Sequence, residues 1–154
     1  MSEPVIKDFE LPSTGNITFK LSDRRGKNVV VYFYPKDNTS GCTLEGQEFR
    51  DLFKDFAKAN TIVVGVSRDS LKSHEGFKAA HGFPFELLAD TDEKACELFG
   101  VMKLKNMYGK QVRGVERSTF VFDVKGKLVK SWRGLKAPGH AVEVLGFVQG
   151  VVNA

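Results

Sequence analysis

Residues 28–42 read NVVVYFYPKDNTSGC. After Asn28 the run to Tyr34 is wholly β-branched or aromatic, which predicts a strand covered on both faces, and Pro35 stops it. Beyond the loop PKDNTSG the period changes. Phe49, Leu52, Phe53 and Phe56 recur at spacings of three and four, with Arg50, Asp51, Lys54 and Lys58 between them. That pattern predicts an amphipathic helix, opened by Cys42.

The same alternation continues outward. Thr61 to Ser67 (TIVVGVS) repeats the buried-strand pattern, and a helix from Ser70 to His81 is closed by Gly82 and Pro84. Phe85 to Ala89 reads as a short strand, Asp92 to Phe99 as a short helix closed by Gly100, and Lys103 to Glu116 as a polar loop. Ser118 to Asp123 and Lys127 to Trp132 flank Val124-Lys125-Gly126, a hairpin with Gly placed for a left-handed turn. A last helix spans roughly His140 to Val152. Before the first long strand, Phe9 to Leu11 and Ile17 to Leu21 suit a small hairpin. The order predicts an α/β fold with a central mixed sheet, helices on both faces and an N-terminal β-hairpin extension. No repeat or linker divides the chain, so residues 1–154 read as a single domain.

Composition narrows the function classes. The 154 residues are 42% hydrophobic and 27% charged, enough for one core without a disulfide or metal staple. No apolar stretch approaches the roughly 18 to 20 residues of a membrane span. The opening, Met1 to Asp8, lacks a basic region followed by an apolar run, so no secretory signal is read there and a cytoplasmic address is expected. Lys and Arg number 23 against 19 Asp and Glu, a formal charge of +4. The densest basic stretch, Lys103 to Arg113, carries neither a helix-turn-helix pattern nor an aromatic platform, so no nucleic-acid partner is expected.

Two cysteines, Cys42 and Cys96, stand far apart, and His74, His81 and His140 lie at no ligand spacing to either. A structural zinc site and a Cys-x-x-Cys dithiol are thereby excluded, and the three histidines read as surface residues. Cys42 is different. In the first turn of a helix, free backbone N–H groups and the macrodipole favour thiolate over thiol. The loop before it leaves the carboxyl end of a buried strand, where sites gather in α/β sheets. Thr39 can aim a hydroxyl into the same space, and Gly41 permits close backbone approach. Glu45 and Glu48 oppose a thiolate, so a nearby cation must decide the balance. A thiol of pKa about 8.5 is roughly 3% ionised at pH 7; lowering it to about 6 raises that some thirtyfold, but falling nucleophilicity takes back roughly tenfold. Most acceleration must therefore come from orienting the electrophile and stabilising the leaving group.

These residues carry a resemblance. Pro35-Lys-Asp-Asn-Thr39-Ser-Gly-Cys42-Thr resembles the peroxidatic motif of peroxiredoxins, Pro-x-x-x-Thr-x-x-Cys, and VVVYFYPKD is similar to the bacterioferritin-comigratory, or Q-type, subfamily. The likeness runs on through VGVSRDS, FELLADTDEKACELFGV and Glu116-Arg117-Ser-Thr-Phe-Val-Phe-Asp. It implies a thioredoxin-like fold and a thiol peroxidase that reduces hydrogen peroxide and organic hydroperoxides without metal, flavin or other cofactor. Carried over, Cys42 is the peroxidatic nucleophile, Thr39 hydrogen-bonds the peroxide, Pro35 shields the thiolate, and Arg117 polarises the peroxide and supplies the cation.

Two positions depart from the subfamily. Ser40 stands where it often has proline. Gln47 stands where many members carry a resolving cysteine, five residues after the peroxidatic one. The resemblance then implies a one-cysteine cycle recycled by thioredoxin, glutaredoxin or a small thiol, in a monomer, with a weak dimer as the alternative. Other readings stay open here: an atypical two-cysteine cycle with Cys96 resolving, although Cys96 beside Ala95, Leu98 and Phe99 reads as core filler, and a peroxide sensor or redox-switched holdase on the same fold.

Overall fold

The computed structural model describes residues 6–152. The opening residues read for a signal therefore begin outside the described part. Strands β1 (Glu10–Ser13) and β2 (Ile17–Lys20) form the N-terminal hairpin. Next come β3 (Asn28–Phe33), α1 (Ser40–Asp51), α2 (Phe53–Lys58), β4 (Thr61–Ser67), α3 (Leu71–His81), β5 (Glu86–Ala89) and α4 (Lys94–Leu98). A hairpin of β6 (Met102–Met107) and β7 (Lys110–Val115) precedes β8 (Ser118–Phe122), β9 (Leu128–Arg133) and α5 (His140–Val152).

Seven strands make one sheet in the order β2-β1-β5-β4-β3-β8-β9. Its middle, β3, β4 and β5, is parallel, and the flanking pairs are antiparallel. The expected mixed sheet and N-terminal hairpin are both present. Lying between β4 and β8, β3 has every residue buried, as its unbroken apolar run requires. Its side chains alternate between two cores: Val29, Val31 and Phe33 join the cluster that takes Ala95 and Cys96 from α4, whereas Val30 and Tyr32 join the one that takes Cys42, Phe49, Phe56, Phe77 and Val144 from the other four helices. Helices thus cover both faces, unequally.

Two elements differ from the sequence reading. The predicted long helix after Cys42 breaks at Leu52 (φ −102°, ψ 7°) and restarts as α2. No Gly or Pro marks the break; the turn lets Phe56 meet Phe49 at a ring separation of 5.7 Å, both fully buried. The expected polar loop at Lys103 to Glu116 is the β6–β7 hairpin, turning through Tyr108 (φ 55°) and Gly109 (φ 79°). Both turn residues are left-handed, as a two-residue hairpin turn demands. Arg113 ties this hairpin to Glu93 and Glu97 beside and within α4. The remaining caps follow the sequence: Ser70 accepts from the Ser73 N–H ahead of α3, and Gly82 (φ 61°) ends it. Among the described residues no helix is long and apolar enough to cross a membrane.

Candidate active site

Cys42 is the third residue of α1 and is 1% exposed. Pro35 leaves the end of β3 half-buried, and Thr39 is the exposed residue at the N-cap of α1. The Thr39 hydroxyl donates to the Lys36 carbonyl (2.8 Å) instead of capping the helix. Its single proton is thus committed, and the oxygen is left to accept from whatever enters the loop.

Sheet register brings the fourth residue in. Antiparallel pairing sets Ser118 opposite Phe33, so β8 begins where β3 ends. Arg117, one residue earlier, therefore stands beside the loop, its carbonyl accepting from the Leu135 N–H (3.2 Å). Its Nη2 donates to the Cys42 Sγ (3.4 Å) and its Nη1 to Glu45 Oε1 (2.6 Å). A Cβ at Gly41 would lie 3.1 Å from Nη2, so glycine there leaves the guanidinium its place. Of the four residues singled out in the sequence, Arg117 and Cys42 are in contact, while Pro35 and Thr39 lie on the segment that leads from β3 to α1.

The two carboxylates expected to oppose a thiolate part ways. Glu48 turns to the Gly139 N–H (3.0 Å), just ahead of α5. Glu45 is fully buried against Arg117, while its Oε2 and the hydroxyl of buried Tyr32 have no hydrogen-bond partner among the described residues. Burial raises the Glu45 carboxyl to about 7, outweighing the attraction of Arg117. Burial would lower Arg117, but the negative charges of Glu45 and Cys42 raise it, and it stays a cation. Glu45 shares the Arg117 guanidinium with Cys42; sequence showed it only as an acid three residues along the same helix face.

The raised Glu45 carboxyl couples stability to pH. Its folded value lies above the ordinary 4.5, so between 4.5 and about 7 the native protein binds more protons than the unfolded chain. The stabilisation is complete below that window and is lost as pH rises through about 7, a change of about 3 kcal/mol. Denaturant titrations should show wild type losing roughly that much relative to Glu45→Gln from the acid side of the window to the alkaline side. Equal pH dependence in the two proteins would refute the assignment.

Cys96 lies in the other core. It is fully buried with Ala95 and Phe99, on the sheet face opposite Cys42. Burial pushes its thiol far up, and the Asp90 carboxylate, which accepts from the N–H groups of Ala95 (3.0 Å) and Cys96 (2.7 Å), adds to that. The surface reading of the histidines is corrected at two of three positions. His74 and His140 are buried, because each ring finds polar partners inside: Asp37 and the Leu88 carbonyl for His74, Thr119 for His140.

The chain is similar to known proteins over most of its length. Residues 4–131 match the AhpC/TSA family. The chain is 50% identical over 138 residues to the Xanthomonas campestris peroxiredoxin Bcp, covering 90% of this chain and 86% of that protein. It is 48% identical over 138 residues to the Bacillus subtilis peroxiredoxin Bcp, covering 90% of this chain and 88% of that one. Among solved structures, a cysteine-to-serine mutant of Xylella fastidiosa PrxQ superposes with a TM-score of 0.92 at 42% identity, covering 98% of this chain and 97% of that one. With a cysteine at a helix start held by an arginine on a thioredoxin-like sheet, the chain belongs to the AhpC/TSA family, among the Bcp, or Q-type, peroxiredoxins, and is a thiol peroxidase.

Proposed function

We propose that this protein reduces hydrogen peroxide and organic hydroperoxides through Cys42 in a one-cysteine cycle completed by an external thiol. The observation that carries the reading is the 3.4 Å contact from Arg117 Nη2 to the Cys42 sulfur in the first turn of α1. The guanidinium thus faces the reacting sulfur at the start of the helix. The hydroperoxide enters beside Pro35. Its O–H donates to Thr39, whose own proton is already given to Lys36, and a guanidinium N–H of Arg117 donates to the peroxide oxygens. The thiolate attacks the terminal oxygen, an S–O bond forms as the O–O bond breaks, and the leaving alkoxide or hydroxide takes a proton from solvent. Cys42 is oxidised to the sulfenic acid and the peroxide is reduced to alcohol or water. Negative charge grows on the leaving oxygen, where the arginine stabilises it.

An external thiol, from thioredoxin, glutaredoxin or a small molecule, then displaces water from the sulfenic acid to form a mixed disulfide. A second thiol releases Cys42. Gln47 at the resolving position and Cys96 on the far face of the sheet support this cycle over an internal disulfide. Bridged cysteines need Cα atoms roughly 4.4 to 6.8 Å apart, which a sulfur across the sheet reaches only by unfolding. The Xanthomonas campestris bacterioferritin comigratory protein, 46% identical in sequence, has alkyl peroxide reduction activity, the same substrate class. A monomer acting in the cytoplasm fits two cysteines buried on opposite faces of the sheet and exposed apolar side chains that are scattered along the chain, such as Leu44, Leu71 and Val142.

Non-reducing mass spectrometry after one equivalent of peroxide tests the cycle. A dimedone adduct on Cys42 with Cys96 still reduced is the expected result. A quantitative Cys42–Cys96 disulfide would overturn it.

A further inference from the structure

The loop that carries Pro35 and Thr39 is pinned from behind by Asp37. This carboxylate is 1% exposed and accepts three hydrogen bonds: from the Tyr34 hydroxyl to Oδ1 (2.6 Å), and from the Ser73 hydroxyl (2.8 Å) and His74 Nδ1 (2.7 Å) to Oδ2. The Asp37 backbone N–H donates to Asp69 Oδ2 (2.9 Å), which the Ser67 hydroxyl also reaches (2.5 Å). On its other side the His74 ring meets the Leu88 carbonyl through Nε2 (2.9 Å). A carbonyl can only accept, so Nε2 carries a proton. Nδ1 shares the other hydrogen bond, with the Asp37 carboxylate. Burial would raise Asp37, but the hydrogen bonds from His74, Tyr34 and Ser73 and the His74 charge hold it below the ordinary carboxylate range. The groups facing the ring are Tyr34 beside β3, Asp37 in the loop and Asp69 after β4; the Ser73 hydroxyl of its own helix turns to Asp37 instead.

We infer that His74, buried and hydrogen-bonded to Asp37 and to the Leu88 carbonyl, is a positioning residue of the peroxidase: it bolts the peroxide-binding loop to α3 and β5. The inference rests on the peroxidase reading above. The consequence is spatial. Between Pro35 and Thr39 the chain passes through Asn38 with φ 65°, and the Lys36 carbonyl is what orients the Thr39 hydroxyl. With Asp37 released, both Lys36 and Thr39 move relative to the Cys42 sulfur, which sits on α1 and stays behind. Displacements of about 1 Å at such a site lower rates by about a hundredfold.

NMR of protein labelled with ¹⁵N-histidine tests the hydrogen bond directly, and peroxide kinetics on the same samples test its role. The His74 Nδ1 resonance should move between wild type and Asp37→Asn, while Nε2, held by the Leu88 carbonyl, should change less. His74→Gln and Asp37→Asn should each lower kcat/KM for peroxide by about ten- to a hundredfold while kcat/KM for the thiol holds. The double variant should be no slower than the slower single one. Ser73→Ala, which removes one donor and leaves the ring, should give a smaller fall in the same parameter and keeps the test open if His74→Gln does not fold. A His74 Nδ1 signal identical in wild type and Asp37→Asn, or folded variants with unchanged peroxide kcat/KM, would overturn the inference. A wild type that consumes no peroxide overturns the reading beneath it instead, and the His74 signals are scored separately.

Discussion

Replacing Cys42 by serine is expected to lower peroxide reduction by at least about 10⁴-fold, to the level of the uncatalysed reaction. A hydroxyl in that place is not appreciably ionised at neutral pH, and the chain has only one other sulfur nucleophile, Cys96. That thiol cannot take over. It is buried in the opposite core, its pKa is driven up by burial and Asp90, and among the described residues no arginine contact to it matches that of Arg117 on Cys42. Cys96→Ser should accordingly keep full turnover. The assay is steady-state peroxide consumption with an excess of dithiothreitol, and Cys42→Ser retaining a tenth of wild-type rate would end the assignment of Cys42 as nucleophile.

The second large effect is at Arg117. Arg117→Met should slow Cys42 oxidation by about 10² to 10³-fold, the size of losing a charged donor to a developing oxyanion. It should also destabilise the fold, because Glu45 loses the partner held at 2.6 Å and stays fully buried. That penalty grows with pH, since an isolated buried carboxyl escapes it only by binding a proton. Adding Glu45→Gln should recover stability and leave the rate low. Melting curves at two pH values and rapid-mixing oxidation rates read the two effects apart; recovery of the rate by Glu45→Gln would show that Arg117 acts only as a structural counter-ion.

What sequence could disclose followed from how local the signal is. β3 and β4 were legible because a strand covered on both faces must be apolar throughout, and α3 because Ser70 and Gly82 bracket it. The loop that leads into α1 was legible because Pro35, Thr39, Gly41 and Cys42 are within one short stretch, and the contact of Arg117 with Cys42 because the neighbours of Arg117 resemble those of a known motif. The β6–β7 hairpin was not. Its strands are short of apolar residues, Leu104 and Val112 are exposed, and its turn places Tyr108 where Asn is the usual signal. The interior of His74 and His140 was equally invisible, since a histidine is buried only when distant partners such as Asp37 and Thr119 meet it. The break at Leu52 has no local marker at all.

The sheet that stands between the two sulfurs has a chemical consequence. In the proposed cycle, an oxidised Cys42 has no safe harbour inside its own chain, so two outside molecules compete for it: a thiol that restores the enzyme, or another hydroperoxide that converts it to sulfinic acid, a state that ordinary thiols do not reverse. The winner is set by their relative concentrations. When reducing power runs short, each catalyst becomes a single-use record of the oxidant it met.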